Sequence, residues 1–211
     1  MIDAHIHLEK GPYNRQWLDK FIDKAVNRNI NEVYFLEHAH IFKECRSLYN
    51  EMSQYNEYQS KWFAGKDSKS KDIKEYIDFI ELMKKEEFPI KIKFGLEVCY
   101  SPQHEHDIEE IEKLYDFDFI VGSIHFIDGF AFSHLKQRWS SNDVDINKLY
   151  DRYYSIMIKL VKSNLFSGLA TLIRCSVLEH IRQRTIVIII KSLLVNFIRE
   201  ACMLKRAVVL Q

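Results

Sequence analysis

The feature that most constrains this chain is its first seven residues. Met1 to His7 alternates with a two-residue period, which puts Asp3, His5 and His7 on one face of a strand and Ile2, Ala4 and Ile6 on the other. The pattern that follows alternates helices with strands. Trp17, Leu18, Phe21, Ile22, Ala25 and Val26 form a helical stripe within residues 15–28, and Val33-Tyr34-Phe35-Leu36 is a short buried strand. Residues 42–63 are polar and aromatic and are predicted helical, with a loop over Gly65 to Ser70. Ile73, Tyr76, Ile77, Ile80 and Met83 mark a second amphipathic helix. From Ile90 to Val98 the alternation returns, with Ile92, Phe94, Leu96 and Val98 on one face and Glu97 on the other. Ile108, Ile111 and Leu114 mark a short helix, and Phe117 to His125 a strand ending in a Gly-Ser step. Residues 145–162 predict a long helix with Leu149, Tyr153, Met157 and Leu160 inward, and Leu165 to Ala170 begins another strand. Strands and helices in alternation predict an α/β fold around a parallel sheet.

Chemistry-bearing residues recur where the strands run out. His5 and His7 close the first strand, Glu37-His38 follow the second, Glu97 ends the third and His125 the fourth. In parallel α/β barrels the site is built at this rim. A His-x-His on one face can bite one metal, and a carboxylate such as Glu97 can bridge two. Imidazole mixed with carboxylate suits zinc, iron or manganese. A single strand histidine is ordinarily just a polar residue; the ordered recurrence makes His5, His7, His38, Glu97 and His125 the candidate metal ligands. His104-Glu105-His106 follows Pro102 and opens a helix, so a helix surface is its expected place. His40 reads as structural or as a support to the ligands, and His134 and His180 carry no context. Lys136, Arg138 and Arg152 lie in the stretch after His125, where a phosphate could be met, but surface placement is the default reading of each.

Composition narrows the class of function. The 211 residues, 47% hydrophobic, fit one domain with a real core. Thirty basic and thirty acidic side chains cancel, which argues for a small-molecule partner and against nucleic acid or an anionic membrane. The most apolar stretch, Ile186 to Ile198, is interrupted by Lys191 and too short for a bilayer. The N-terminus is no signal peptide, since Asp3, His5 and His7 interrupt it at once. Cys45, Cys99, Cys175 and Cys202 include no CxxC pair, so neither a zinc knuckle nor a disulfide framework is indicated, and a reducing cytoplasm suits them.

Asp3-Ala4-His5-Ile6-His7, Leu36-Glu37-His38, Gly95-Leu96-Glu97 and Gly122-Ser123-Ile124-His125-Phe126, with Ile127-Asp128-Gly129 following, together resemble the PHP superfamily of phosphoesterases, and its histidinol-phosphatase branch most closely. The resemblance covers about residues 1–170. It implies a distorted (β/α)7 TIM-like barrel with two or three divalent metal ions (zinc, iron or manganese) at the strand ends. It implies further that His5, His7 and Glu97 hold a first ion, that Glu97 and His125 share a second, and that His38 belongs to a third. The implied reaction is hydrolysis of a small phosphate monoester, L-histidinol phosphate to L-histidinol and phosphate, a step of histidine biosynthesis. It proceeds through water activated at the metals held by His5, His7, Glu97 and His125, with no side-chain nucleophile. The sequence holds no phosphate-cradling glycine loop.

The chain also departs from the family pattern. Some members carry a further ligand histidine soon after the His-x-His; here that stretch reads Glu9-Lys10-Gly11-Pro12-Tyr13. After Leu165-Phe166-Ser167-Gly168-Leu169-Ala170 the family reads His-Pro-Asp, and this chain reads Thr171-Leu172-Ile173-Arg174. The later Asp-x-His is absent too. From Thr171 to Gln211 seven Lys or Arg face two acids, and Ile186 to Ile190 is β-branched throughout. We therefore divide the chain into a PHP-like barrel unit, 1–170, and a divergent tail, 171–211, for which the hypothesis is a frameshift or an equivalent rearrangement, to be tested by resequencing the coding region. Leu193, Leu194, Phe197 and Ile198 suit a helix in that tail, in place of the last barrel strands. A barrel incomplete at its C-terminal end has open edges. Three functions stay open: the histidinol phosphatase, a PHP phosphoesterase for another ester or nucleotide, and an inactive remnant. An amidohydrolase, which also begins with His-x-His, fits less well because the Gly-Leu-Glu and Gly-Ser-Ile-His pieces do not belong to it.

Overall fold

The structure is a computed structural model that describes residues 1–132, 146–170 and 208–209. Its elements are β1 (Ile2–Ile6), α1 (Arg15–Asn27), β2 (Glu32–His38), two 3-10 turns (Ala39–Ile41 and Lys43–Tyr49), α2 (Asn50–Gln54), α3 (Glu57–Asp67), α4 (Ile73–Met83), β3 (Lys91–Cys99), a third 3-10 turn (Pro102–His104), α5 (Glu105–Leu114), β4 (Phe119–Ser123), α6 (Ile146–Ser163), β5 (Gly168–Leu169) and β6 (Val208–Val209). The strands make one curled, all-parallel sheet in the order β1 to β6, a partial barrel of the expected α/β kind. Val208 and Val209 pair in parallel with Gly168 and Leu169, so the described part of the tail is strand. The remainder of 171–211, together with His134, Lys136, Arg138 and His180, lies outside the described residues.

Alternation along the strands sorts the apolar residues onto two faces. Val33 and Phe35 of β2 and Phe94, Leu96 and Val98 of β3 pack against Leu18, Ile22, Ile80, Met83, Ile108 and Leu160 from the helices. The opposite face holds a smaller cluster of Tyr34, Leu36, Phe119, Val121 and Ala170, with Ala4 against it. The β2–β3 register sets His38 beside Glu97 on that inner side, two residues beyond the Leu36–Gly95 pair. The site is thus the polar end of the inner face, where the sheet's hydrophobic filling stops.

Two glycines let the layers approach. A Cβ on Gly95 would lie 2.5 Å from the Phe119 carbonyl oxygen and 2.6 Å from its ring, and one on Gly122 would lie 2.9 Å from a Leu160 methyl. Gly95 therefore admits Phe119 into the inner cluster, and Gly122 lets α6 lie directly on β4.

The structure corrects two details of the sequence reading. β1 does not alternate strictly: Asp3 pairs with Val33 and Ile6 with Phe35, three residues against two, so the register shifts between them. Paired residues share a face, and Asp3 consequently lies on the helix side with Val33, while Ala4 packs on the inner cluster. Asp3 is parted from His5 and His7, and its Oδ1 accepts only a long bond (3.5 Å) from the His5 amide. The second detail is α3, which runs through Gly65 to Asp67 where a loop was expected. Nothing lies within 4 Å of a Cβ at Gly65, so this glycine sits on an open helix surface and breaks nothing. An Asn56 cap, accepting from the Gln59 amide at 2.8 Å, starts the helix firmly.

Candidate metal centre

Four imidazoles from three chain segments converge on one buried carboxylate. Glu97, 3% exposed, stands on the inner face of β3. Its Oε1 is 3.0 Å from His125 Nε2, and its Oε2 is 3.2 Å from His5 Nε2, 3.6 Å from His7 Nε2 and 3.7 Å from His38 Nε2. His5 and His7 Nε2 are themselves 3.0 Å apart. All five candidate ligands named from the sequence therefore meet at one point of the rim. His104 does not join them. It pairs with Asp107 at 3.3 Å at the start of α5, and His106 is exposed. Arg152 is at the surface, in a bidentate pair with Asp128 at 2.7–3.1 Å.

Surrounding groups set which ring nitrogens point inward. His7 Nδ1 is 2.9 Å from the Leu36 carbonyl, which can only accept, so Nδ1 carries the proton. Burial, helped by the nearby His38 charge, lowers the His7 pKa to about 4. The ring is therefore neutral, with the Nε2 lone pair facing His5 and Glu97. His38 Nδ1 donates to Glu9 Oε2 at 2.8 Å, which leaves its Nε2 toward Glu97 in the same way. Burial opposes the charged form of His38, but Glu9 and Glu97 outweigh it and raise the pKa. Burial likewise opposes ionisation of Glu97; hydrogen bonding from His125 and His5 and the His38 charge prevail and hold it far below the usual carboxylate range. His125 is fixed from behind, its amide donating to Cys99 Sγ at 3.3 Å. A partner on the outer nitrogen that fixes tautomer and aim is the common support of metal-bound histidine.

The donor set fits a divalent cation. Glu97 Oε2 is buried and has no hydrogen bond of good geometry among the described residues, although three imidazole nitrogens stand 3.2–3.7 Å from it. An anionic oxygen in that state is costly unless a cation satisfies it. The triangle His5 Nε2, His7 Nε2 and Glu97 Oε2 has edges of 3.0, 3.2 and 3.6 Å. Two ligands about 2.0–2.1 Å from a tetrahedral ion are about 3.3 Å apart. A second triad, His7, Glu9 and His38, also brings its donor atoms within 4.8 Å of one another.

Glu9 is the site residue that the sequence reading missed. It stands two residues after His7, in the stretch inspected for a further histidine; the available signal was that a carboxylate is an equally good metal donor. Glu37 was named only as His38's neighbour. It is fully buried, and its Oε1 accepts from the Leu8 amide at 2.6 Å and its Oε2 from Tyr13 Oη at 3.2 Å, pinning the loop that follows β1. Burial pushes its pKa up to about 8. Next to the cluster lies a cavity of about 140 Å³ whose lining includes His40, Tyr49, Trp62 and Phe126. Beyond the wall formed by Cys99 and Phe126 is a wider one of about 620 Å³, reached by His104 and Arg152. No helix among the described residues is long and apolar enough to cross a membrane.

Comparison with known proteins places the chain among relatives. The probable histidinol-phosphatase of Deinococcus radiodurans is 21% identical over 174 residues, which is 82% of this chain and 60% of that protein. The chain thus spans about 60% of the length of the curated relative it matches. Among solved structures, the histidinol phosphate phosphatase of Lactococcus lactis, crystallised with zinc, L-histidinol and phosphate, superimposes with a TM-score of 0.51 at 18% identity. The match covers 80% of this chain and 56% of that one. The PHP domain family matches residues 3–204, running on past residue 170 into the tail, and the chain belongs to that family.

Proposed function

We propose that this protein is a metal-dependent phosphomonoesterase and that its substrate is L-histidinol phosphate, hydrolysed to L-histidinol and phosphate. The observation that carries the reading is the convergence of His5, His7, His38 and His125 on the buried, ionised Glu97. His5, His7 and Glu97 would hold one ion, Glu97 and His125 would serve a second, and His38, with Glu9 beside it, a further one. Ions of this kind supply an activated water at neutral pH and neutralise charge on phosphoryl oxygens. The chain's own residues do the positioning. Leu36 and Glu9 lock the rings of His7 and His38, and Glu37 holds the backbone at Leu8 so that the first strand's histidines keep their aim.

The side chains lining the small cavity favour water as the nucleophile. Burial pushes the Cys99 thiol up to about 12, so it stays protonated, and the buried Ser123 hydroxyl donates to the Val98 carbonyl at 3.4 Å. The substrate assignment rests on the two relatives named above, both described as histidinol phosphatases. The test is phosphate release from L-histidinol phosphate by protein purified without chelator, with metal per chain measured by elemental mass spectrometry. Activity that chelation abolishes and zinc, iron or manganese restores is the expected result. Metal-loaded protein that releases no phosphate from this ester sinks the assignment. Less than about half an equivalent of metal in folded protein favours instead an inactive remnant of the family, the reading to which the replacement of His-Pro-Asp by Thr171-Leu172-Ile173 points.

A further inference from the structure

None of the five candidate metal ligands lines the wider cavity of about 620 Å³. Its volume falls in the range of about 300–1,000 Å³ usual for small-molecule sites. Arg152, Ile156 and Lys159 reach it from α6, at the i, i+4 and i+7 spacing of one helix face. Leu48, Glu51 and Met52 reach it from the segment around the start of α2, and the turn that precedes α5 supplies Pro102 to His104. Burial divides the lining in two. Leu48, Met52, Tyr100 and Ile156 are buried and make an apolar inner wall. Glu51, Asp128, Arg152 and Lys159 are exposed and stand at the mouth.

The charges at the mouth are not all engaged. Arg152 holds Asp128 in the bidentate pair, and His104 is paired with Asp107. Glu51 and Lys159 make no side-chain hydrogen bond or ion pair among the described residues. One carboxylate and one ammonium, carried by two different helices, are therefore left facing a cavity with an apolar inner wall. A simple anion would meet Lys159 but be repelled by Glu51, and a simple cation would meet the reverse. A molecule that carries both charges satisfies both, and a hydrocarbon arm on it removes apolar surface from water against Met52 and Ile156. We propose that this cavity binds a free amino acid with an aliphatic side chain, its carboxylate at Lys159, its ammonium at Glu51 and its side chain on the inner wall. The site lies outside the metal centre, and the assignment does not rest on the proposed phosphatase activity.

The experiment is equilibrium dialysis of the full chain, as purified, against radiolabelled L-leucine, repeated on Lys159→Met and Glu51→Gln. Both residues are exposed, so neither substitution removes packing from the core. Saturable binding is expected in wild type, with the affinity lowered about fivefold or more in each variant, the upper end of what an exposed ion pair contributes. Unlabelled L-leucinol, which lacks the carboxylate, and isocaproate, which lacks the ammonium, are each expected to compete at least about fivefold less well than L-leucine for the same reason. No binding at millimolar L-leucine overturns the proposal. So does an affinity within about twofold of wild type in both variants, or competition by either truncated ligand as strong as that by L-leucine. Binding that chelation of metal abolishes and Lys159→Met spares overturns it as well, because the amino acid then sits on the ions.

Discussion

Replacing Glu97 by glutamine is the most informative single change to this site. The substitution keeps the volume and one oxygen acceptor while removing the side-chain anion that, among the described residues, contacts all four imidazoles. Loss of an outer-shell partner already weakens metal binding about 10- to 100-fold. A carboxylate whose two oxygens face different histidines stands inside that shell, so the upper figure is the floor here: at least about a hundredfold, or about 2.7 kcal/mol. Zinc affinity is read by competition with a chromophoric chelator at neutral pH, and stoichiometry by elemental analysis. His104→Ala is the control, since His104 pairs with Asp107 and touches none of the cluster; its zinc affinity is expected to stay within about twofold. A second readout comes from metal-free protein. Glu97 helps to raise the His38 pKa, so the His38 ring titration followed by NMR is expected to move down in Glu97→Gln. Zinc affinity unchanged in Glu97→Gln, or equal losses in the two variants, would refute the site as described.

Other expectations follow from the supports around the cluster. Glu37 has a folded pKa of about 8 against an ordinary 4.5, so the native state holds its proton longer than the unfolded chain does. This group's contribution to stability is therefore greatest below 4.5 and is lost as pH rises toward 8. Glu37→Gln imitates the protonated form, so in metal-stripped protein its Tm is predicted to gain on wild type between pH 5 and pH 7. The gain is about 1 kcal/mol per pH unit, or about 2–4 °C for each kcal/mol; a pH-independent difference counts against the buried acid. Glu9→Gln should weaken occupancy of the ion nearest His38 more than that of the ion held by His5 and His7, and sequential zinc titration resolves the two; uniform loss contradicts the pairing. Gln59 is buried, donates to the Met52 and Gly129 carbonyls and accepts from the Ala131 amide, all at 2.7–3.0 Å. Gln59→Ala leaves those groups unpaired and is predicted to cost about 2–4 kcal/mol in urea unfolding, whereas a loss under 0.5 shows the loop after β4 to be held by something else. Gly95→Ala drives a Cβ into the Phe119 carbonyl and is predicted to destabilise by about 1–3 kcal/mol; a neutral melt means that β3 and β4 can separate at no cost.

Much of the architecture was legible because it is written in periodicity. The inner and outer faces of β2 and β3 follow from alternation of apolar residues, and α1 and α4 from stripes at helical spacing, each a local property of a few consecutive residues. The β1 bulge was not legible. Asp-Ala-His-Ile-His alternates perfectly as text, and only pairing with Val33 and Phe35 shows that an extra residue is accommodated and Asp3 turned away. The residues meeting at the centre were recognisable by type and by their place after each strand, since parallel strands must deliver their C-terminal ends to one rim. Glu9 escaped because it lies beyond the strand, where periodicity no longer says which way a side chain turns.

By itself the sequence determined the α/β class, the order of strands and helices, and the chemical identity of a histidine-rich rim with one central carboxylate. These depend on short-range spacing and on residue type, both readable from the chain. Tertiary structure decided which groups touch: that Leu36 and Glu9 fix two ring tautomers, and that Glu97 is the hub and not one donor among five. Those contacts join residues 28 to 92 positions apart, set by strand register and by how closely glycines let the layers approach, quantities that no local window contains.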